Sequence, residues 1–298
     1  MGALATALLA APSLAATYHV DGMVGSSVDF QSQPPYDSYS VDLGVQAGDE
    51  AHYDVFGPNS PSFHAQASSL ADGGGLHAHT HAQYTVISPN FGFYNYYTLF
   101  ANSRATLIYT DVVVSGGPVG TTVPTTVNFD LTGSHLVGVS VDLSGRAFTS
   151  STIDIGVTVD GVPVGQGHRE VTARYDTNVI TTFGQLMLAN GVGRIVTPPF
   201  NVKVGVPFAV KLELNTRATV DACFSNSFGL NVFANTDFSH TFAFASTGPV
   251  FTLPVGYTAN SPDAQIVNNS FVPEPSSQLQ LACGSAALLL ICRPRRRR

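Results

Sequence analysis

Tryptophan is absent from the 298 residues, and lysine occurs only at Lys203 and Lys211. Charged residues make up 11% of the chain, where soluble domains usually carry about 25%. A helical bundle or coiled coil draws on Ala, Glu, Lys, Leu and Arg, so this scarcity argues against one. Basic charge is thinner still over most of the length. Five of the 13 basic residues, Arg293, Arg295, Arg296, Arg297 and Arg298, crowd the last six positions, and the remaining 8 stand against 20 acidic residues. An acidic body lacks the basic face that phosphate contacts require, which excludes a nucleic-acid partner. Cysteine is equally sparse. Cys283 and Cys292 fall in an apolar C-terminal stretch, and Cys223 alone remains in the body. One cysteine closes no internal disulfide, so the body is held by its core, and at roughly 255 residues it is long enough to build one.

Catalytic signatures are missing too. The sequence contains no G-x-S-x-G elbow and no H-E-x-x-H, and Glu50, Glu170 and Glu213 are the only glutamates of the body. A glycosidase needs two carboxylates within about 5–10 Å of one another, and no spacing here places such a pair. No cofactor is expected.

What is present is alternation of period two. Val137, Val139, Val141 and Leu143 alternate with small or polar residues, and Ile153, Ile155, Val157 and Val159 alternate with Asp154, Gly156, Thr158 and Asp160. That is the pattern of half-buried strands. Asp160-Gly161 suits a type I′ turn, with Val162 to Val164 starting the return strand. Leu107 to Val114 is a β-branched run ended by Ser115-Gly116-Gly117-Pro118. Leu186 to Leu188, Asn190-Gly191 and Ile195-Val196 read as a second hairpin. Val202 and Val204, then Gly205-Val206-Pro207, then Phe208 to Leu214 give two further strands around a turn. Val220 to Val232 and Thr241 to Phe251 complete the set. No amphipathic helical stretch interrupts them and no repeat recurs. The expectation is an all-β antiparallel sandwich, jelly-roll-like, over residues 16–271.

The two ends read as addresses. Leu4, Leu8 and Leu9 with intervening alanines form an apolar core. Pro12 breaks a helix, and Ser13-Leu14-Ala15 supplies the small residues of a signal-peptidase site. Residues 1–15 are therefore expected to be a signal peptide whose helix is removed before Ala16. At the other end, Val272-Pro273-Glu274-Pro275-Ser276-Ser277 leads into an apolar stretch from Leu279 to Cys292 and then the arginines. The prolines hold an extended segment, the apolar run can enter a bilayer, and the arginines stay on the cytoplasmic side. This three-part order, residues 272–298, resembles the PEP-CTERM sorting signal of Gram-negative bacteria. The resemblance extends to Ala234–Pro249 and to Phe251 through Thr258, which look like the last strands before such signals, and to Ser69 through Ala78, which resembles a small-residue strand of these proteins. It implies export through the inner membrane, a C-terminal hydrophobic sorting helix, and processing by the membrane enzyme exosortase. It implies a sorting signal built on Val272, Pro273, Glu274, Pro275, Arg293, Arg295, Arg296, Arg297 and Arg298, and a final place at the cell surface or in the exopolysaccharide or biofilm matrix.

Three constellations stand out in the body. His77, His79 and His81 alternate with Ala78, Thr80 and Ala82, which puts the imidazoles on one strand face about 7 Å apart. They can share a metal, with His64 or His52 as a further ligand, or they can form a polar outer face above inward-facing small residues. Tyr94, Tyr96 and Tyr97 belong to the densest aromatic run, with Phe91, Phe93 and Phe100. These rings can stack on sugars or pack a core. Asp154 with Asp160, or Asp221 with Asp237, offers oxygens for calcium without the spacing of a known loop. His168-Arg169-Glu170 reads as a solvated loop or strand edge. The reading is an exported, non-catalytic surface or matrix protein. The alternatives are a carbohydrate-binding module that binds extracellular polysaccharide in the same compartment and, after it, a polysaccharide hydrolase.

Overall fold

Alternation that buries every second side chain becomes strand wherever both faces find their medium. The computed structural model describes residues 16–28, 31–32, 37–43, 47–55, 62–72, 75–86, 95–140, 146–174, 177–184, 192–224 and 230–272. Its first strands are β1 (Thr17–Val28), β2 (Gln31–Ser32), β3 (Asp37–Leu43), β4 (Ala47–Val55), β5 (Ser62–Asp72) and β6 (Gly75–Val86). Two long strands follow, β7 (Asn95–Ser115) and β8 (Thr122–Ser140), then β9 (Arg146–Val159), β10 (Val162–Arg174) and β11 (Thr177–Gly184). The rest are β12 (Gly193–Val196), β13 (Phe200–Lys203), β14 (Phe208–Phe224), β15 (Leu230–Phe244), β16 (Phe251–Thr252), β17 (Thr258–Asn260), β18 (Ile266–Val267) and β19 (Ser270–Phe271).

These strands form two large sheets in which every pair is antiparallel, and β18 pairs with β19 in a separate two-stranded sheet. The first runs β11-β10-β9-β14-β7-β1-β2, with β3 also on β1 and β17 on β7. The second runs β12-β8-β15-β6-β5-β4, with β13 and β16 also on β8. The sheets stack face to face. β1 and β7 lie over β5, β7 and β14 over β6, β14 and β9 over β15, and β9 and β10 over β8. The fold is thus all-β and sandwich-like. Among the described residues there is no helix, and none is long and apolar enough to cross a membrane. Residues 1–15 and 273–298, where the signal and sorting helices are expected, lie outside the described residues.

The core varies along the strands. At one end Phe129 lies 5.3 Å from Phe242 and 5.4 Å from Phe244, centroid to centroid, with Tyr109 and Phe251 against Phe244. In the middle the inward positions are small: Ala65, Ala67, Ala82, Ala101, Ala105, Ala218 and Ala234, with Ser103, Ser151, Thr80, Thr216 and Thr236, all buried. There the sheets touch directly. Ser103 Oγ donates to Ser68 O at 2.6 Å, Ser151 Oγ to Asn235 O at 3.0 Å, and Thr236 Oγ1 to Arg217 O at 3.0 Å. Such short side chains do not span the usual ~10 Å between stacked sheets, so the sandwich is pinched at this waist.

Several local expectations meet the structure directly. Asp160 and Gly161 have φ of 47° and 78°, as a type I′ turn requires, and Val159 pairs with Val162 across them. Leu186 to Gly191 lie outside the described residues, and Ile195-Val196 pairs instead with Asn128 and Phe129 of β8. Val202 and Phe208 bracket a turn, but their strands join opposite sheets. His168-Arg169-Glu170 is neither loop nor edge. It lies in β10, between β9 and β11, with Arg169 buried.

Candidate functional site

The outer face of the first sheet carries a continuous polar array. Strand register alone builds it. Asp21 pairs with Arg104, Arg104 with Asn215, Asn215 with Asp154, and Asp154 with His168, which lines five side chains across β1, β7, β14, β9 and β10. A parallel row brings Asn102, Arg217, Thr152 and Glu170 together. Antiparallel partners stand about 4.5–5.5 Å apart at Cβ, close enough for each to pair with the next. His168 Nδ1 lies 2.6 Å from Asp154 Oδ1, and Arg104 Nη2 donates to Glu213 Oε1 at 2.5 Å. Lys211 Nζ approaches the same Glu213 oxygen at 2.8 Å, and Ser150 Oγ donates to Glu170 Oε1 at 2.6 Å.

Between these side chains lie two adjoining depressions of about 330 and 550 Å³, both bordered by Arg104, Asp154, His168 and Asn215. Gly156, on the outward phase of β9, deepens the smaller one. A Cβ on Gly156 would meet only Glu213, at 3.5 Å or more, so nothing fills the space above it. Burial pushes the Glu213 carboxyl up, yet hydrogen bonds and charge from Lys211 and Arg104 outweigh burial and hold it below the usual carboxylate range. The trough thus presents an ionised Glu213 among polar groups paired with one another. It can offer hydrogen bonds in a fixed pattern to a polar ligand. It does not hold a proton on Glu213 for donation.

The histidine strand folds as its alternation implies. Ala78, Thr80 and Ala82 are buried, and His77, His79 and His81 share the outer face of the second sheet. Each has its own partner. His77 Nε2 is 3.7 Å from Asp72 Oδ1, His79 Nε2 is 2.9 Å from Asn235 Oδ1, and the His81 ring lies 5.3 Å from that of His64. Burial, with the nearby His64 and His79, lowers the His81 pKa. Among the described residues no three His, Cys, Asp or Glu side chains are grouped to hold a metal ion.

The remaining candidates disperse. Tyr94, with Phe91 and Phe93, lies outside the described residues. Tyr96 and Tyr97 lie on β7, paired with Cys223 and Ala222. Asp154 lies on β9 and Asp160 in the turn six residues on, about 20 Å along the chain, and Asp160 instead accepts from Ala209 N. Asp221 sits on the first sheet and Asp237 on the second. The structure therefore brings neither aspartate pair together. Of the sorting residues, Val272 is described and lies just after β19, while Pro273, Glu274, Pro275 and the five arginines lie outside the described residues. The trough itself was not singled out from sequence. Its members sit on five strands scattered from Asp21 to Asn215, and their only local mark is an outward phase that is polar where the inward phase is apolar, as in Lys211-Leu212-Glu213-Leu214.

Comparison with known proteins adds little. No protein-family model matches the chain, and no curated protein matches it. A solved structure of infectious bursal disease virus, Gt strain, aligns with 93% of this chain and 74% of that one at 10% identity. Its TM-score of 0.08 carries no argument about fold or function.

Proposed function

We propose that this chain is an exported cell-surface or exopolysaccharide-matrix protein without catalytic activity, delivered by exosortase-type sorting across the inner membrane. One observation carries the reading. The paired strands begin at Thr17 and the last pair closes at Phe271, so the described body matches the stretch expected between the leader and the Pro273-Glu274-Pro275 motif. Chain crossings between the sheets at β6–β7, β7–β8, β8–β9 and β14–β15 support a jelly-roll type of winding. Glu213, held ionised by two cations, is unsuited to the proton-donating role of a glycosidase acid, which must keep its proton near neutral pH. Mass spectrometry of the exported form tests the sorting. The expected product begins near Ala16 and lacks the arginine run. Replacing Pro273, Glu274 and Pro275 by alanine should hold the protein in the inner membrane, and normal release of that variant would refute the assignment.

A carbohydrate-binding module is the second reading, favoured by the trough of paired polar groups on the first sheet. A glycan array decides it. Wild-type binding that disappears in Arg104→Ala and Asp154→Ala supports the reading, and no binding to any neutral or acidic glycan removes it.

A further inference from the structure

At the aromatic end of the sandwich, four turns share one composition. They are Pro118-Val119, Val162-Pro163, Val206-Pro207 and Pro254-Val255, and all eight residues are exposed. Val119 is 79% exposed, Val162 63% and Val206 41%, and Val255 is fully exposed. The turns are neighbours in a row. A Cβ on Gly116 would collide with Gly256 O, which places the 254–257 turn against the 116–120 turn. Val119 lies over Gly205, and Gly120 N donates to Val204 O, which brings the 203–207 turn alongside. Asp160 N donates to Ala209 O, which adds the fourth. Asp160 and Lys203 are the only charged residues in these turns, and Asp160 is occupied by Ala209 N. Single exposed valines are ordinary, but a row of aliphatic turns that carries only one carboxylate and one ammonium across one end of a domain marks a contact surface.

We infer that this row of four valine–proline turns rests in the headgroup region of a phospholipid bilayer, the one that the apolar 279–292 stretch enters. The inference rests on the sorting reading above. The chain's exit supports it. β17 hangs on the last residues of β7, Thr258 opposite Ser115, and the following loop is held where Asp263 N donates to Asp111 Oδ2. Val272 N in turn donates to Gln265 O. Asp111 is four residues from Ser115, about 13 Å along the strand. Residues 273–278, extended, reach about 20 Å. The chain leaves close enough to the row for Leu279 and the four valines to meet the same membrane plane. Aliphatic side chains gain by entering that boundary, and Lys203 can extend its ammonium to the phosphates.

The absence of tryptophan makes a direct test possible. The full chain carrying a single Val255→Trp or Val119→Trp is reconstituted into phosphatidylethanolamine–phosphatidylglycerol vesicles with brominated acyl chains. A Leu136→Trp chain serves as control, because that exposed side chain lies on β8 away from the row. The expected result is blue-shifted emission, quenched by the brominated lipid, at residues 255 and 119, with residue 136 quenched only by aqueous acrylamide. Adding Val162→Asp and Val206→Asp to the Val255→Trp chain should abolish the lipid quenching while the chain stays on the vesicles through its tail. Membrane-bound chains whose tryptophan at 255 behaves like that at 136 overturn the inference and leave the sorting reading standing. Chains that do not bind vesicles overturn both. A blue shift at 255 that grows with protein concentration without lipid assigns the row to a second copy of the chain and overturns the membrane inference.

Discussion

The aromatic end of the sandwich and its waist face the same two sheets with opposite side chains. At the end, Phe129, Phe242, Phe244, Phe251 and Tyr109 fill the gap with volume. At the waist, alanine, serine and threonine leave almost no gap, and hydroxyls bond across to the opposite backbone. Apolar volume gains in proportion to area and tolerates small shifts, whereas a pinched, hydrogen-bonded contact is short-ranged and depends on each polar atom finding a partner. The first region should therefore fail by cavities, the second by lost or orphaned hydrogen bonds and by charge.

The largest effect belongs to the aromatic end. Phe129 is fully buried, with rings on two sides. Phe129→Ala should destabilise the fold by about 3–5 kcal/mol, the usual range for deleting a buried ring. Urea unfolding measures it. A loss below about 1 kcal/mol would mean that this end collapses as easily as the waist, and the contrast would go.

The waist should be the acid-sensitive region, because it contains His135. This ring lies 2.7 Å from Ser151 Oγ and edge-on to Phe238. Burial lowers its pKa to about 4, and the charges of Arg169 and His168 add to the effect. An unfolded histidine titrates near 6.5. Between the two values the unfolded state holds the extra proton, so the stability is complete above pH 6.5 and drains as pH falls toward 4. The loss should be on the order of 2 kcal/mol. His81 shifts the same way, so the comparison is with His135→Gln, which should lose distinctly less between pH 7.5 and pH 4.5. Glu213 and Asp130 are held below the usual carboxylate range and lose their contributions only at lower pH. Equal losses in both proteins would clear His135.

Ser151 tests the hydrogen bonds themselves. Its hydroxyl meets His135 Nδ1, Thr236 Oγ1 at 2.5 Å and Asn235 O, joining three strands across the gap. Ser151→Ala removes little volume, so an apolar account predicts no change. Leaving buried partners unsatisfied should instead cost about 1–2 kcal/mol. The same denaturation experiment reads it.

The two regions also differ in how openly their sequence states them. β9 and β10 were legible because Ile153, Ile155, Val157 and Val159 point inward at regular intervals and Asp160-Gly161 turns the chain. β5 was not. Its inward residues are Phe63, Ala65, Ala67, Ser69 and Ala71, while the large apolar Leu70 points outward. A waist built from small residues erases the hydrophobic period that marks a strand. The histidine face of β6 was legible because its phase is carried by polar residues instead. The trough on the first sheet could not be read at all. Asp21, Arg104, Asn215, Asp154 and His168 become neighbours only through the register of five strands, and register between distant segments has no local signature.

Threonine at the waist gives the smallest and most discriminating effect. Thr80 and Thr216 are fully buried, and their hydroxyls find no hydrogen-bond partner among the described residues. A buried hydroxyl without a partner costs about 1–3 kcal/mol relative to water. Valine has nearly the same shape, so Thr80→Val trades that cost for a methyl group in an apolar setting. It should stabilise the fold by about 1 kcal/mol, seen as a higher urea midpoint with an unchanged slope. The same substitution at Thr236, whose hydroxyl bonds Arg217 O and Ser151, should act in the opposite direction. If both variants moved the midpoint the same way, the waist would be a region of ordinary apolar packing, and its difference from the aromatic end would be one of side-chain size alone.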